Sequence, residues 1–267
     1  MTDLTQLRSS STERHPPASG PLSIVRSIRR ASVIAGASLL LMAVLAGFGY
    51  MVAVEGVVNY DDATQNATNI MESSGLFLTG IVSLSIVIAL DVVVAWALYR
   101  VLAPVSKTLS AVAAWMRIVY GGIFAVAVAQ LVGVLRMLTT GVAATEGTDL
   151  RYADALAGVN RFADIYDAGL ILFGLHLLVI GWLAFKAGYM PSWLGALLAV
   201  SGAGYAFDGV GALLSADSWT DISTVTFIGE FLLAVWLVIR GRQIILDQAV
   251  PGPLARANDD VGSSRER

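Results

Sequence analysis

The residues of this chain that could carry chemistry are a few ionisable side chains embedded in long apolar segments. Asp91, Arg117 and Glu230 each interrupt a hydrophobic run, and His176 lies in another. A charge near the middle of a membrane-spanning helix costs about 2.5 to 3.5 kcal/mol, so each group needs a partner, water or a neutral protonation state. At about 1.5 Å per helical residue, all four lie about 12 to 15 Å from the nearest basic end or span start. The four groups therefore lie at about the same depth in the membrane.

This common depth predicts a buried polar cluster with Arg117 as its hub. Two acids, Asp91 and Glu230, and one base at similar depth can neutralise most of one another's burial cost. One negative charge is left over, and either protonation of His176 or protonation of Glu230 would cancel it, which would make the cluster respond to pH. The alternative is a structural ion pair that only fixes helix packing.

A second candidate site lies closer to the opposite surface, where Tyr205 and Asp208 share a helix face about 22 Å from the basic end. In the same segment Gly195, Ala199 and Ala203 recur every four residues. Small residues at this spacing let helix backbones approach closely, so we expect this helix at the bundle centre. The neighbouring glycines could instead mark a loosened helix that lines a cavity; they are Gly202, Gly204, Gly209 and Gly211.

Composition excludes several kinds of site. Cysteine is absent, which removes disulfides, thiolate catalysis and cysteine-ligated metals. The other histidine, His15, lies in a polar segment, so haem held by two histidines is excluded. We predict no metal, no cofactor and no catalytic residue. Ser201 and His176 could form a catalytic dyad, but the glycine expected two residues before such a serine is Ala199. Net charge is -3 without a basic aromatic stripe, so nucleic acid is not expected as a partner.

The elements that must position these residues are apolar helices. Of the 267 residues, 56% are hydrophobic and only 14% are charged, which is more apolar surface than a soluble domain of this length could bury. The runs are long enough for helices and lack the alternation of barrel strands. The sequence therefore predicts an all-α polytopic membrane protein, a six-transmembrane-helix bundle with spans at residues 31–54, 76–98, 109–135, 168–185, 193–214 and 222–239.

Lysine and arginine in the short loops predict the orientation. Most of them fall on one side of the six spans, so we expect both termini to face the cytoplasm. Residues 1–30 are predicted to be a disordered cytoplasmic tail, 31–243 the membrane domain, and 244–267 a cytoplasmic C-terminal tail. On the outer face, Asp61 and Asp62 could cap a short helix that Gly75 closes, and Thr148 could begin another. Both are predicted to be amphipathic helices lying on that face, with a ligand lid as the alternative.

Several short motifs occur in a characteristic order along the chain. Asp62-Ala63-Thr64 leads to Ile70, and a later span ends in Tyr99-Arg100-Val101-Leu102-Ala103-Pro104-Val105. These are followed by further motifs: Gly174-Leu175-His176-Leu177, Gly181, Gly188-Tyr189-Met190-Pro191-Ser192-Trp193-Leu194-Gly195 and Gly204-Tyr205. Over roughly residues 30 to 240 this order resembles the bacterial membrane-protein family catalogued as domain of unknown function 4386. The resemblance implies a six-span fold in a membrane, and it supplies no catalytic residues.

The function that these features favour is a small-ligand- or proton-responsive helical bundle, in sensing or transport, located in the bacterial inner (plasma) membrane. The expected partners are the lipid bilayer and either a small ligand or another membrane protein. One alternative is a non-catalytic scaffold or partner subunit in which the charges are structural. Another is an intramembrane enzyme.

Overall fold

The computed structural model describes residues 21–140, 148–214 and 227–243, and these ranges contain helices and no strands. Five helices are long and apolar enough to cross a membrane. The sixth predicted span lies partly outside the described residues, and its described part is a shorter apolar helix, so the number of spans and the orientation of the termini stay predictions. The helices are α1 Pro21–Ala46, α2 Ala63–Glu72, α3 Ser74–Leu102, α4 Lys107–Thr139, α5 Thr148–Lys186, α6 Ser192–Leu214 and α7 Ile228–Ile239.

The six longer helices form a closed ring. In order around it, α1 packs on α3, α3 on α4, α4 on α5, α5 on α6, α6 on α7, and α7 back on α1. Helix α7, the shortest of the six, therefore closes the ring between α6 and α1. The interior of the ring is where side chains from all six helices can meet.

The first helix begins earlier than predicted. Residues 21–30 were expected to belong to a disordered tail, but they are the first turns of α1, which continues through a π-helical turn at Gly47–Val52. Two causes are visible in the sequence. Pro21 suits the first turn of a helix, and Ile28, Ala31 and Ala35 are spaced to bury one face. Residues 1–20 and 244–267, the remainder of the two predicted tails, lie outside the described ranges.

The predicted outer helices both differ from expectation. Asp62 does cap α2, because its Oδ1 accepts from the backbone N–H of Gln65 at 2.9 Å. The helix is amphipathic as predicted, but it ends at Glu72, before Gly75, and it buries Ala67 and Ile70 against the bundle, mainly on α5.

The second outer helix is not a separate element. Thr148 begins α5, whose 39 residues run without a break to Lys186. At about 1.5 Å per residue this helix is about 58 Å long, nearly twice the ~30 Å hydrocarbon thickness. Its polar first half therefore extends beyond the length that a bilayer needs. Helix α2 packs on α5.

Helices α5 and α6 are joined by a row of glycines at seven-residue spacing. A Cβ atom on Gly174 would overlap the carbonyl oxygen of Gly202, and one on Gly202 would lie 2.6 Å from the carbonyl oxygen of Gly174. Gly181, Gly195 and Gly209 make similar backbone approaches along the same seam. The predicted close packing is thus present, but α6 is one member of the ring and not its centre.

The expected four-residue stripe on α6 is only partly used. Ala203 is exposed, because the contact face repeats every seven residues and not every four. Gly202, Gly204, Gly209 and Gly211 are buried, and two of them touch the backbone of α5. These contacts contradict the alternative of a loosened helix lining a cavity.

One end of the ring carries most of the basic residues. There Arg100 Nη2 donates to Ser27 Oγ at 2.6 Å, and the Tyr189 hydroxyl donates to the carbonyl of Val101 at 2.6 Å. Burial raises the pKa of Tyr189, so the hydroxyl remains a donor at neutral pH. We call this the basic end; it includes Arg26, Arg29, Arg30, Arg100, Lys107, Lys186, Arg240 and Arg242.

Candidate functional site: a buried charge cluster

Arg117 of α4 lies at the centre of the ring, and its side chain is only 1% exposed. Its Nε donates to Asp91 Oδ1 of α3 at 2.8 Å, and its Nη1 donates to Glu230 Oε1 of α7 at 3.2 Å. The contacts predicted for the hub are therefore present. What the cluster does stays a prediction.

His176 of α5 completes the polar part of the cluster. Its Nδ1 lies 2.8 Å from the carbonyl oxygen of Ala113, and its Nε2 lies 3.4 Å from Arg117 Nη1. A carbonyl can only accept and a guanidinium can only donate, so we assign the proton to Nδ1 and the free lone pair to Nε2. The neutral tautomer satisfies both neighbours.

This arrangement corrects one of the two options for cancelling the leftover charge. A protonated His176 would place a second donor against the Arg117 guanidinium, where two positive groups would repel. The neighbours of His176 thus disfavour its protonation and favour protonation of a carboxyl group. Both ring nitrogens are also engaged, so His176 has no nitrogen left to act as a base for Ser201.

Two apolar neighbours of Arg117 were not foreseen. The sulfur of Met42 in α1 lies 3.9 Å from Arg117 Nη2, and the ring of Phe173 in α5 lies 5.4 Å from the guanidinium carbon. Both are favourable contacts for a cation that has lost its water. Methionine and phenylalanine look like ordinary core residues in a sequence, so no pattern distinguished these two from the others.

Tyr205 belongs to the wall of this cluster. Its ring meets Phe173 edge-on at 5.1 Å, so α6 also reaches the centre. Asp208, one turn further along α6, is buried at 5% exposure. The structure thus joins Tyr205 to the charge cluster through Phe173, and a separate site made of Tyr205 and Asp208 stays a prediction.

A column of aromatic rings in stacked, tilted and edge-on contact extends from the cluster toward the end opposite the basic one. Neighbouring rings have centroids 4.7 to 6.2 Å apart, which is the range of favourable aromatic pairs. This aromatic column fills the interior on that side of Arg117. In contact order it consists of Tyr50, Phe162, Tyr166, Phe124, Tyr120, Phe173 and Tyr205.

The two carboxylates differ in their surroundings. Asp91 is 1% exposed, and its Oδ2 has no hydrogen-bond partner in the part of the chain that the structure describes. A Cβ on Gly121 would lie 3.9 Å from this oxygen, so a small group fits beside it. Glu230 is 19% exposed, whereas Arg117, Asp91 and His176 are essentially closed off.

Within the described ranges, no three side chains of the histidine, aspartate or glutamate type converge as metal ligands would. Asp91 and Glu230 both turn toward Arg117, whose positive charge would repel a cation placed between them. The prediction of no metal and no cofactor is not otherwise tested.

Comparison with known proteins identifies the group to which this architecture belongs. The profile of the family described as "Domain of unknown function (DUF4386)" matches residues 34–241. The chain belongs to this family. The matched region includes all four polar residues of the charge cluster, and it includes α3 and α7, which carry the two carboxyl groups of the cluster. The family is uncharacterised, so membership supports an apolar helical membrane protein without specifying an activity.

A similar protein occurs in Archaeoglobus fulgidus. The chain is 38% identical to this uncharacterised protein over 165 residues, which is 61% of the chain and 85% of that relative. No solved structure matches the chain. The relative is archaeal, so the predicted bacterial inner membrane stays a prediction for this chain.

Proposed function

We propose that this protein is a non-enzymatic membrane bundle that responds to protons through the cluster around Arg117, and that it acts in sensing or transport. The observation that supports the proposal is the pair of buried ion contacts that Arg117 makes with Asp91 and Glu230, at 2.8 and 3.2 Å. The proposal places the protein in a cell membrane, with the lipid bilayer as its first partner.

The charge balance of the cluster favours uptake of one proton. Arg117 contributes one positive charge, Asp91 and Glu230 contribute two negative charges, and His176 is neutral in the assigned tautomer. An uncompensated charge at this depth is costly, and a proton on one carboxyl group removes it. Because the two acids share one base, their titrations are coupled, and the proton belongs to the pair.

Glu230 is the carboxyl group through which the proton would exchange. It is the most exposed of the four polar groups, and proton exchange requires contact with water or with a mobile donor. Protonation would weaken its bond to Arg117, which ties α7 to α4 across the ring. The bond between Arg117 and Asp91 would remain. A change in pH would therefore alter how α7 is held between α1 and α6.

Infrared spectroscopy of the purified protein during a pH titration tests this proposal. A protonated carboxyl group has a C=O stretching band that a carboxylate lacks, and we expect one such band to appear as the pH falls. In Glu230→Gln the band should disappear or move to a much lower pH. Glu72→Gln, which alters an exposed carboxylate on α2, is the matched control and should leave the band unchanged. A band that titrates identically in all three proteins would refute the proposal.

A structural role for the charges is the second candidate. It is favoured by the glycine seam between α5 and α6, which leaves those two helices little freedom to move. In a scaffold or partner subunit the cluster would hold α3, α4 and α7 in register and would not titrate near neutral pH. The same infrared experiment distinguishes the two roles.

A further inference from the structure

The contact between α1 and α7 changes along its length. Near the basic end the helices are tightly packed: a Cβ on Gly36 would lie 2.7 Å from the carbonyl oxygen of Ala234, and Ser32 Oγ is 3.5 Å from that of Leu237. Further along, an apolar crevice of about 370 Å³ opens between the same two helices. Its walls are Leu40, Ala43 and Val44 of α1 and Phe227 and Phe231 at the start of α7.

The crevice lies directly outside the charge cluster. Met42, which touches Arg117, precedes Ala43 on α1, and Glu230 lies between Phe227 and Phe231 on α7. Residues on one helix point in directions that differ by about 100° per position. Helix α7 therefore presents one side to the crevice and the adjacent side to the cluster, whereas α1 presents nearly opposite sides to the two. The glutamate is also the partly exposed member of the cluster.

Two other routes to the cluster are obstructed within the described residues. The aromatic column fills the interior on one side, and the glycine seam closes the boundary between α5 and α6. The crevice walls, in contrast, are exposed, with Val44 68%, Phe227 44% and Phe231 43% accessible. In a bilayer this surface would face lipid, so a ligand that reached it would arrive from the membrane and carry an apolar body.

We propose that the crevice between α1 and α7 binds an alkylammonium amphiphile from the bilayer, with its single positive charge paired to Glu230. The charge is specified by complementarity: the cluster has one positive and two negative groups, so it lacks one unit of positive charge. The apolar walls of the crevice specify the alkyl chain of the ligand. This inference rests on the proposed function, because the ammonium group and the proton would compete for the same carboxylate.

The groups that surround Glu230 support this competition. Arg117 of α4 is its ion partner, with Asp91 of α3 and neutral His176 of α5 on the other sides of the guanidinium. Helix α6 brings the uncharged Ser201 next to Gly229, and α1 brings Met42. None of these contacts supplies a second positive charge, so among these neighbours only Arg117 would compete with the ammonium group for the Glu230 carboxylate.

Electron spin resonance with spin-labelled amphiphiles tests the inference on the full chain in phosphatidylcholine nanodiscs. The probes are hexadecyltrimethylammonium and the uncharged alcohol and the sulfate of the same chain length. We expect the protein to immobilise the ammonium probe at least about tenfold more strongly than the alcohol, a difference of about 1.4 kcal/mol. The preference should fall as the pH decreases, because a proton on the carboxyl pair removes the negative charge that the fixed ammonium group requires.

Three variants locate the binding. Glu230→Gln should reduce the immobilisation of the ammonium probe to that of the alcohol. Ala43→Trp, which fills the crevice without touching the cluster, should reduce the immobilisation of all three probes. Ala89→Trp places the same bulk on the exposed side of α3 and should have no effect. Equal immobilisation of the three probes, which an ordinary lipid chain in the crevice would give, overturns the inference, as does unchanged immobilisation of the ammonium probe in Ala43→Trp. If the carboxyl band still titrates through Glu230 in that case, the proposed function stands and only this inference fails.

Discussion

At the scale of single residues, the cluster depends on the shape of the arginine side chain. A guanidinium group carries N–H donors in fixed directions, and Arg117 uses them toward Asp91, Glu230 and the sulfur of Met42. A lysine ammonium is a compact charge on a flexible stem and could not hold these partners in one plane. The residue that brings α1, α3 and α7 together on α4 is therefore specifically an arginine.

The unpartnered oxygen of Asp91 gives a prediction at the same scale. In Gly121→Ser the new Cβ fits at van der Waals distance, and the hydroxyl can reach Asp91 Oδ2, so we expect a gain of about 1.5 to 3 kcal/mol from a hydrogen bond to a charged group. Gly121→Ala is the matched control, since it adds the same Cβ without a donor. The free energy of unfolding in mixed micelles measures both. Equal stability of the serine and alanine variants would show that Oδ2 does not face position 121.

At the scale of helices, the seam between α5 and α6 is the most closely packed contact of the bundle. Gly174 and Gly202 stand opposite each other with no space for a side chain on either. Close backbone contact of this kind holds helices together in a membrane, where the hydrophobic effect does not drive association. The seam also holds Phe173 and His176 of α5 in fixed positions beside Arg117.

Substitution at this seam should destabilise the protein. In Gly202→Ala the new Cβ would meet the Gly174 carbonyl oxygen at 2.6 Å, which forces the helices apart and should cost about 1 to 3 kcal/mol. Gly133→Ala on α4, where nothing lies within 4 Å of the added atom, should be neutral or stabilising by up to about 1 kcal/mol. Thermal unfolding of the two variants in detergent measures the difference, and similar shifts in both would contradict the close approach.

The elements show how far the sequence could be interpreted. Apolar length predicted the central parts of α3, α4 and α6 to within a few residues, because lipid-exposed helices are almost uniformly hydrophobic. The start of α5 at Thr148 was predicted, but its continuity with the span at residues 168–185 was missed. Its charged first half was predicted to be a separate helix on the outer face, because it lacks the apolar composition of a span, although it belongs to one helix that packs on α2. Which residues pair across a ring depends on helix rotation, and single-sequence periodicity does not specify that.

At the scale of the whole molecule, each of the six helices of the ring contributes a side chain to the charge cluster or to its wall. Met42, Asp91, Arg117 and His176 come from α1, α3, α4 and α5, while Tyr205 of α6 and Glu230 of α7 complete the set. The common depth of the charged groups was predictable from residue counts. Their lateral contact was proposed from their charge balance, and residue counts do not specify it, because it requires α7 to close the ring against α1.

Ring closure can be tested with cysteine pairs, since the natural chain contains none. In the double variant Ser32→Cys/Gly241→Cys the two Cβ atoms would start 2.7 Å apart, and a small shift of the terminal turn reaches the ~3.8 Å typical of a disulfide. We expect an efficient cross-link under mild oxidation, seen as a band shift after cleavage between the two sites. Ser32→Cys/Gly133→Cys joins helices that are not neighbours in the ring and should not cross-link. Absence of the first cross-link, or its equal yield in both variants, would contradict the ring.

The central claim is that the buried charges form one mutually dependent unit, and a comparison of unfolding free energies tests it most directly. Arg117→Met leaves two carboxylates without their base and should cost about 3 to 5 kcal/mol, whereas the triple variant Arg117→Met/Asp91→Asn/Glu230→Gln removes all the charges and should recover most of that loss. This recovery is the result that the account predicts. A triple variant as unstable as Arg117→Met, or an Arg117→Met variant as stable as the natural protein, would contradict it.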